Sequence, residues 1–190
     1  MTETEIANLA LAHIGQGRIT DLQEQSVAAQ HIRRVWTPTR ERLLREHHWN
    51  FASRTASALT RLATDPPHTY AAAFQLPGDC LRVLTVNGIP AGTGRTSHAI
   101  EGRKLLTNQT EAKLEYIANV ETCSEWDASF VDLFAIEVAA AVAPSFRLDP
   151  SAAGPLLQLA ERSRARAMEA DAVETKPRVT LPSDDCPYWT

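Results

Sequence analysis

Two short constellations in this chain hold groups able to do chemistry. The first is Glu46-His47-His48, a carboxylate beside two imidazoles. That donor set could bind zinc or act as an acid–base pair. The spacing argues against both uses, because neighbouring residues on a helix point about 100° apart and cannot converge on one tetrahedral ion. No HExxH pattern and no second cluster at metal-ligand spacing accompanies it. The plainer reading is a pair of histidines at the negative end of a helix. The second constellation is Asp79-Cys80 with His68, the ingredients of an activated thiol. Cys80 opens an apolar strand, however, and a free cysteine buried in such a place is usually inert.

Nothing else in the sequence assembles a site. There is no phosphate-binding GxxxxGK[ST] loop, no GxGxxG following a strand and no GxSxG elbow. The glycines at 88, 92, 94 and 102 fall in hairpin turns and open no helix, and the carboxylates form no convergent pair. Gly15 after a short helix hints at a helix-turn-helix, but the connection and the next helix are both too long. The expectation is a non-enzymatic protein without catalytic residues, metal or cofactor.

The elements around these residues read as an α+β fold. Thr2 and Glu5 have capping-box spacing, and Ile6, Leu9, Ala10 and His13 would share the inner face of a helix over about 3–14. Ile19 and Leu22 pin the following loop. A long second helix runs from about 23 to 47, with Ala28, Ile32, Val35, Trp36, Thr39 and Leu43 inward. Glu41–Arg45 and Arg42–Glu46 are i,i+4 pairs on its outer face. Pro38 inside this pattern implies either a kink or two abutting helices.

The periodicity changes after Trp49. Residues 55–62 are strand or helical turn, Phe74–Leu76 is extended before a Pro77-Gly78 turn, and Cys80–Val86 is a strand closed by Asn87-Gly88. A second hairpin turns at Glu101-Gly102. Residues 113–121 alternate, with Leu114, Tyr116, Ala118 and Val120 on one face and Lys113, Glu115 and Glu121 on the other. An antiparallel insert of about four strands results.

Helical pattern resumes at Asp127. Phe130, Leu133, Phe134, Ile136, Val138, Ala141 and Val142 leave almost no polar face, so this is the central buried helix. Its run from Phe130 to Ala143 is too short to span a bilayer. A fourth helix starts at Asp149-Pro150 or Gly154-Pro155, with Leu156, Leu159, Ala160, Ser163, Ala167 and Ala170 inward. Glu161, Arg162, Arg164, Arg166 and Glu169 lie outward. The division is a helical body over 1–52 and 126–174, an inserted β unit over 53–125, and an extended C-terminal arm over 175–190. Fully extended, that arm would reach on the order of 50 Å. It is read either as a disordered tail or as an arm that orders on a neighbouring chain, since Val179, Leu181, Tyr188 and Trp189 are poor residues to leave in water.

Composition agrees with a soluble globular protein made in the cytoplasm: 44% hydrophobic, 22% charged, net charge −4. The acidity gives no reason to expect tight DNA binding. Three cysteines without a CxxC suit a reducing compartment. The start of the chain lacks the basic and apolar regions of a signal peptide. Arginine outnumbers lysine 16 to 3, which suits interfaces between chains and equally suits a GC-rich genome.

Trp36, Pro38, Arg40, Leu43-Leu44, His47 and the closing Trp49-Asn50-Phe51-Ala52 resemble the head-to-tail adaptor proteins of tailed phages, the tail tubular protein A group. Ala10–Gly15 through Ile19–Leu22 and Phe74–Leu84 agree as well, so the likeness covers roughly the first half. His48 departs from it, standing where a proline is common. The resemblance implies a β insert between the second and third helices. It also implies a structural role in a ring, twelve copies in such adaptors, that lies under the portal, continues the DNA channel and offers a platform to a downstream tail or stopper protein. Prophage and gene-transfer-agent particles contain the same part.

On this resemblance the arm residues Arg178, Val179, Leu181, Pro182, Tyr188 and Trp189 would bind the portal. Arg34, Arg42, Arg45, Arg162, Arg166 and Glu169 would make contacts between copies. Pro38, Leu44, Trp49 and Phe51 would form a structural hinge. Net acidity would let DNA slide through without sequence-specific binding. The alternatives are a bacterial helical protein-interaction module with no virion role and a small hydrolase using Cys80 and His68.

Overall fold

The computed structural model describes residues 1–63, 70–91, 98–146 and 150–174. His68 and the arm residues 175–190 lie outside them. Helix α1 (Glu3–His13) starts at a complete capping box, with Thr2 accepting from the Glu5 amide at 3.2 Å and the Glu5 carboxylate accepting from the Thr2 amide at 2.8 Å. Its buried face is Ile6, Ala7, Ala10 and Leu11. The helix is thus turned relative to expectation, leaving Leu9 and His13 exposed. Asn8 explains the setting. Its amide both accepts from and donates to the Ile19 backbone, at 2.8 and 3.0 Å, fastening the loop whose Ile19 and Leu22 are buried.

Helix α2 (Val27–Glu46) begins four residues later than the sequence pattern suggests, capped by Ser26, whose hydroxyl accepts from the Ala29 amide. Residues 20–24 are held instead in their own turn by the Glu24 carboxylate, which accepts from the Thr20 hydroxyl and from both the Thr20 and Asp21 amides. Such local side-chain bonds compete with helix. The helix runs unbroken through Pro38, so two abutting helices do not form.

A 3₁₀ turn (Asn50–Ala52) leads into seven strands: β1 (Ser53–Ala56), β2 (Ala72–Gln75), β3 (Cys80–Val86), β4 (Ile89–Pro90), β5 (His98–Glu101), β6 (Lys104–Thr107) and β7 (Leu114–Ala118). They make two antiparallel sheets, β1-β7-β3-β4 and β2-β6-β5, rather than a single sheet of about four strands. The Asn87-Gly88 hairpin forms as expected, with both residues at positive φ (51° and 79°). The second turn is centred one residue later than expected, on Gly102-Arg103 (φ 50° and 65°), because Glu101 pairs with Lys104 across it. A two-residue type I′ turn needs positive φ at both centres. Arg103 tolerates it while its guanidinium donates to the carbonyls of Pro77 and Gly78 at 2.7 and 2.9 Å, tying the two sheets. Central strand β7 buries Leu114, Tyr116 and Ala118 on one face, but also Ile117 on the other.

Helix α3 (Ala128–Val142) is capped by Asp127 and packs against α1, α2 and α4 (Pro150–Glu174). All its expected apolar residues are buried except Ala141. With its 3₁₀ extension it spans Ala128–Phe146, 19 residues of mean hydropathy 1.6, long and apolar enough to cross a membrane and longer than the Phe130–Ala143 run suggested. Its packing among three helices accounts for that composition as a core helix. Helix α4 starts at Pro150, the first of the two expected starts, and Pro155 lies within it. One hydrophobic cluster includes residues from all four helices and from strands of both sheets.

Candidate functional site

The joint where α2 ends and the β strands begin concentrates the polar bonds that link distant elements. Glu46, His47 and His48 diverge there. His47 Nε2 lies 2.9 Å from Oδ2 of Asp171 on α4, a carboxylate only 7% exposed. The other oxygen of Asp171 accepts from the Asn50 amide at 2.8 Å, and the Asn50 side chain donates to the Asp171 carbonyl at 2.7 Å. One carboxylate thus clasps the end of α2 and the start of the strands onto α4. Glu46 turns away to Arg42, and burial lowers the His48 pKa below its ordinary value. Among the described residues no group of three or more His, Cys, Asp or Glu could hold a metal ion.

Trp49 is fully buried. Its indole N–H donates to the Leu43 carbonyl in the last turn of α2 at 2.8 Å. The ring sits edge-on to His47 and Phe130 and tilted on Phe51. Phe51 packs on Phe130, and Leu44 is fully buried. Trp126 repeats the device where the strands return to the helices, donating to the Val120 carbonyl at 2.9 Å. Its ring contacts Trp36, Phe130 and Phe134, so the aromatics form a continuous row from one junction to the other.

Arg40, 4% exposed, reaches from α2 to the same return segment. Its Nε donates to Asn119 and its Nη2 to Glu121, both at 3.1 Å. Burying a guanidinium costs far less when its hydrogen bonds are made, and here they are made to residues about eighty positions away. Further along, Arg42 pairs with Glu46 and Glu137, and Glu137 also pairs with Arg164, which reaches Glu46 and Glu161. This network ties α2, α3 and α4.

Several sequence expectations are corrected here. Arg164 does not belong to the outer face of α4, because Glu137, a carboxylate in an otherwise apolar helix, draws it inward. Leu159 and Ala170 are exposed, and Asp171 takes the inward place instead. Arg45 forms no ion pair with Glu41. It donates to the Leu81 carbonyl and accepts from Arg82, joining α2 to β3. Of the proposed contact residues between copies, Arg42 and Arg45 are therefore committed within the chain. Arg34, Arg162, Arg166 and Glu169 are exposed and make no hydrogen bond or ion pair among the described residues. Pro38 is exposed within α2. The arm residues Arg178, Val179, Leu181, Pro182, Tyr188 and Trp189 lie outside the described residues.

The thiol constellation has no activating geometry among the described residues. Cys80 is buried and its pKa is raised by that burial. Asp79 accepts from the Tyr116 hydroxyl at 3.2 Å. Cys123 is pushed up to about 11, again by burial. A groove of about 490 Å³ opens beside Asp79, lined by Arg54, Asn119, Glu121 and Glu125. Its charges are engaged with protein partners, Arg54 with Glu125 and Glu121 with Arg40.

Sequence reasoning missed Asp171, Asn119, Glu121 and the inward turn of Arg164. A polar residue on the small-residue face of α4, eleven and four positions on from Ala160 and Ala167, was the clue to Asp171. Against known proteins, no family model matches the chain and no curated protein is similar enough to count as a relative.

Proposed function

We propose that the chain is a structural head-to-tail adaptor that forms a ring beneath the portal of a tailed phage or phage-like particle. The observation that carries this reading is the use of the adaptor-like residues. Trp36, Arg40, Leu43, Leu44, Trp49 and Asn50 are spent on fastening helices to the β insert, not on a ligand. A pattern of that kind specifies a scaffold. Arg34, Arg162, Arg166 and Glu169, exposed and unpaired among the described residues, supply surface charge of both signs for contacts with other copies. DNA passes through the ring without being read.

The test is to mix the chain with the portal protein of its own particle and measure the mass of the product by size-exclusion chromatography with light scattering. A portal complex carrying many copies of the chain is expected. A chain that stays monomeric and never engages the portal overturns the reading.

A further inference from the structure

An open groove of about 590 Å³ runs between α1, α3 and α4. Ile136 and Ala167 form its buried floor, while Leu9 and Leu159 stand on its rim, 36% and 40% exposed. Arg162 and Arg166 line the α4 wall with no partner among the described residues, and Asp132 stands on the α3 wall. Leu9 and His13 of α1 and Leu159 of α4 are among the residues whose helical spacing calls for an inward position. They face this groove instead of the core. An apolar trough with two guanidinium groups that have no partner among the described residues fits an extended segment bearing apolar side chains and carboxylates.

Residues 175–190 have that composition, with Val179, Leu181, Tyr188 and Trp189 around Asp184-Asp185. We propose that the groove is the docking site of the chain's own residues 179–189. Asp184 and Asp185 pair with Arg162 and Arg166, and the apolar side chains cover Leu9, Ile136 and Leu159. Arg178, just before the segment, matches Asp132. The reach is sufficient. At about 1.5 Å per residue, Arg166 and Arg162 lie about 12 and 18 Å before the end of α4 at Glu174. The ten residues from Glu174 to Asp184 can span up to about 33 Å. Pro177 and Pro182 do not favour continuing the helix, so the chain can leave α4 and turn back. A tethered segment has an effective concentration near the millimolar range, which favours the chain's own segment over that of a second copy. The proposal does not depend on the adaptor reading. If both hold, the residues offered to a portal are kept on the body until the portal displaces them.

Cys186, next to Asp185, makes the docking measurable in the full chain. Leu159→Cys places a thiol on the groove rim, and Leu157→Cys places one on a side of α4 that does not line it. Both positions are exposed, and the buried Cys80 and Cys123 do not compete. Diamide takes up the two electrons and two protons released as the two thiols join in a disulfide. The Leu159→Cys chain is expected to close on Cys186 within one molecule about tenfold faster than the Leu157→Cys chain. Arg162→Glu with Arg166→Glu slows that closure about tenfold, and adding Asp184→Arg with Asp185→Arg restores it. Equal rates at the two positions, or closure indifferent to the charge reversal, overturn the proposal. Disulfide-linked dimers as the main product overturn it in favour of a second copy as occupant.

Discussion

Trp49 gives the sharpest stability test, because its packing and its hydrogen bond can be removed separately. It is 1% exposed, and its indole touches Phe130, Phe51 and His47 while capping the Leu43 carbonyl. Truncating a buried Trp to Ala costs about 3–5 kcal/mol. For a domain of this size each kcal/mol lowers the melting temperature by about 2–4 °C, so Trp49→Ala should lose roughly 6–20 °C. Against a typical stability of about 5–15 kcal/mol, such a loss brings the chain close to unfolding. Trp49→Phe keeps most of the apolar volume and removes the donor, leaving a buried carbonyl short of a partner at about 1–3 kcal/mol. Urea unfolding followed by circular dichroism at 222 nm measures both, provided the slope with denaturant stays constant. A Trp49→Ala chain within about 1 kcal/mol of wild type would refute the anchor, since no fully buried indole is that dispensable. A Trp49→Phe chain as stable as wild type would refute the cap alone.

Asp171→Ala removes the acceptor of the half-buried Asn50 amide and of His47, and is expected to cost about 2–4 kcal/mol. Native-state hydrogen exchange should then show faster exchange at Asn50, and an unchanged rate there would sink the clasp. Hydrogen bonds from the Ser26 and Thr20 side chains hold the Glu24 carboxyl down to about 2, below its ordinary 4.5. Its stabilisation is fully present above 4.5 and is lost as pH falls toward 2. The stability gap between wild type and Glu24→Gln should therefore be constant at neutral pH and close through that acid window. A gap that widens on acidification contradicts the assignment. Burial raises the pKa of both Cys80 and Cys123, so iodoacetamide at pH 8 should modify neither until the chain is unfolded. Peptide mapping by mass spectrometry that finds native Cys80 alkylated would reopen the thiol chemistry.

The parts of the fold readable in the sequence are those written in local bonds. The capping box at Thr2, the Asn87-Gly88 turn and the buried period of α3 all depend on residues within a few positions of one another. The division of the strands into two sheets depends on pairing Ala72–Gln75 with Lys104–Thr107, which no local pattern encodes. The joint was legible through its indoles but not through its clasp. Trp49 and Leu43 are six residues apart, whereas Asn50 and Asp171 are separated by 121. Arg164 could have been placed, because a glutamate such as Glu137 inside an apolar helix calls for a cation on a neighbouring element. The inner faces of α1 and α4 were misjudged where Leu9 and Leu159 follow the helical period yet stand open to the groove.

The two junctions of the β unit lie side by side, since β1 pairs along its whole length with β7. To the helices, the stretch from Ser53 to Val120 therefore acts as one closed loop, latched by Trp49 on one side and by Trp126 and Arg40 on the other. The entropic cost of closing such a loop grows only slowly with its length. Evolution can thus lengthen, shorten or exchange the hairpin tips at Asn87-Gly88 and Gly102-Arg103 as a cassette, retuning what the strands present while the latches keep the helices in place.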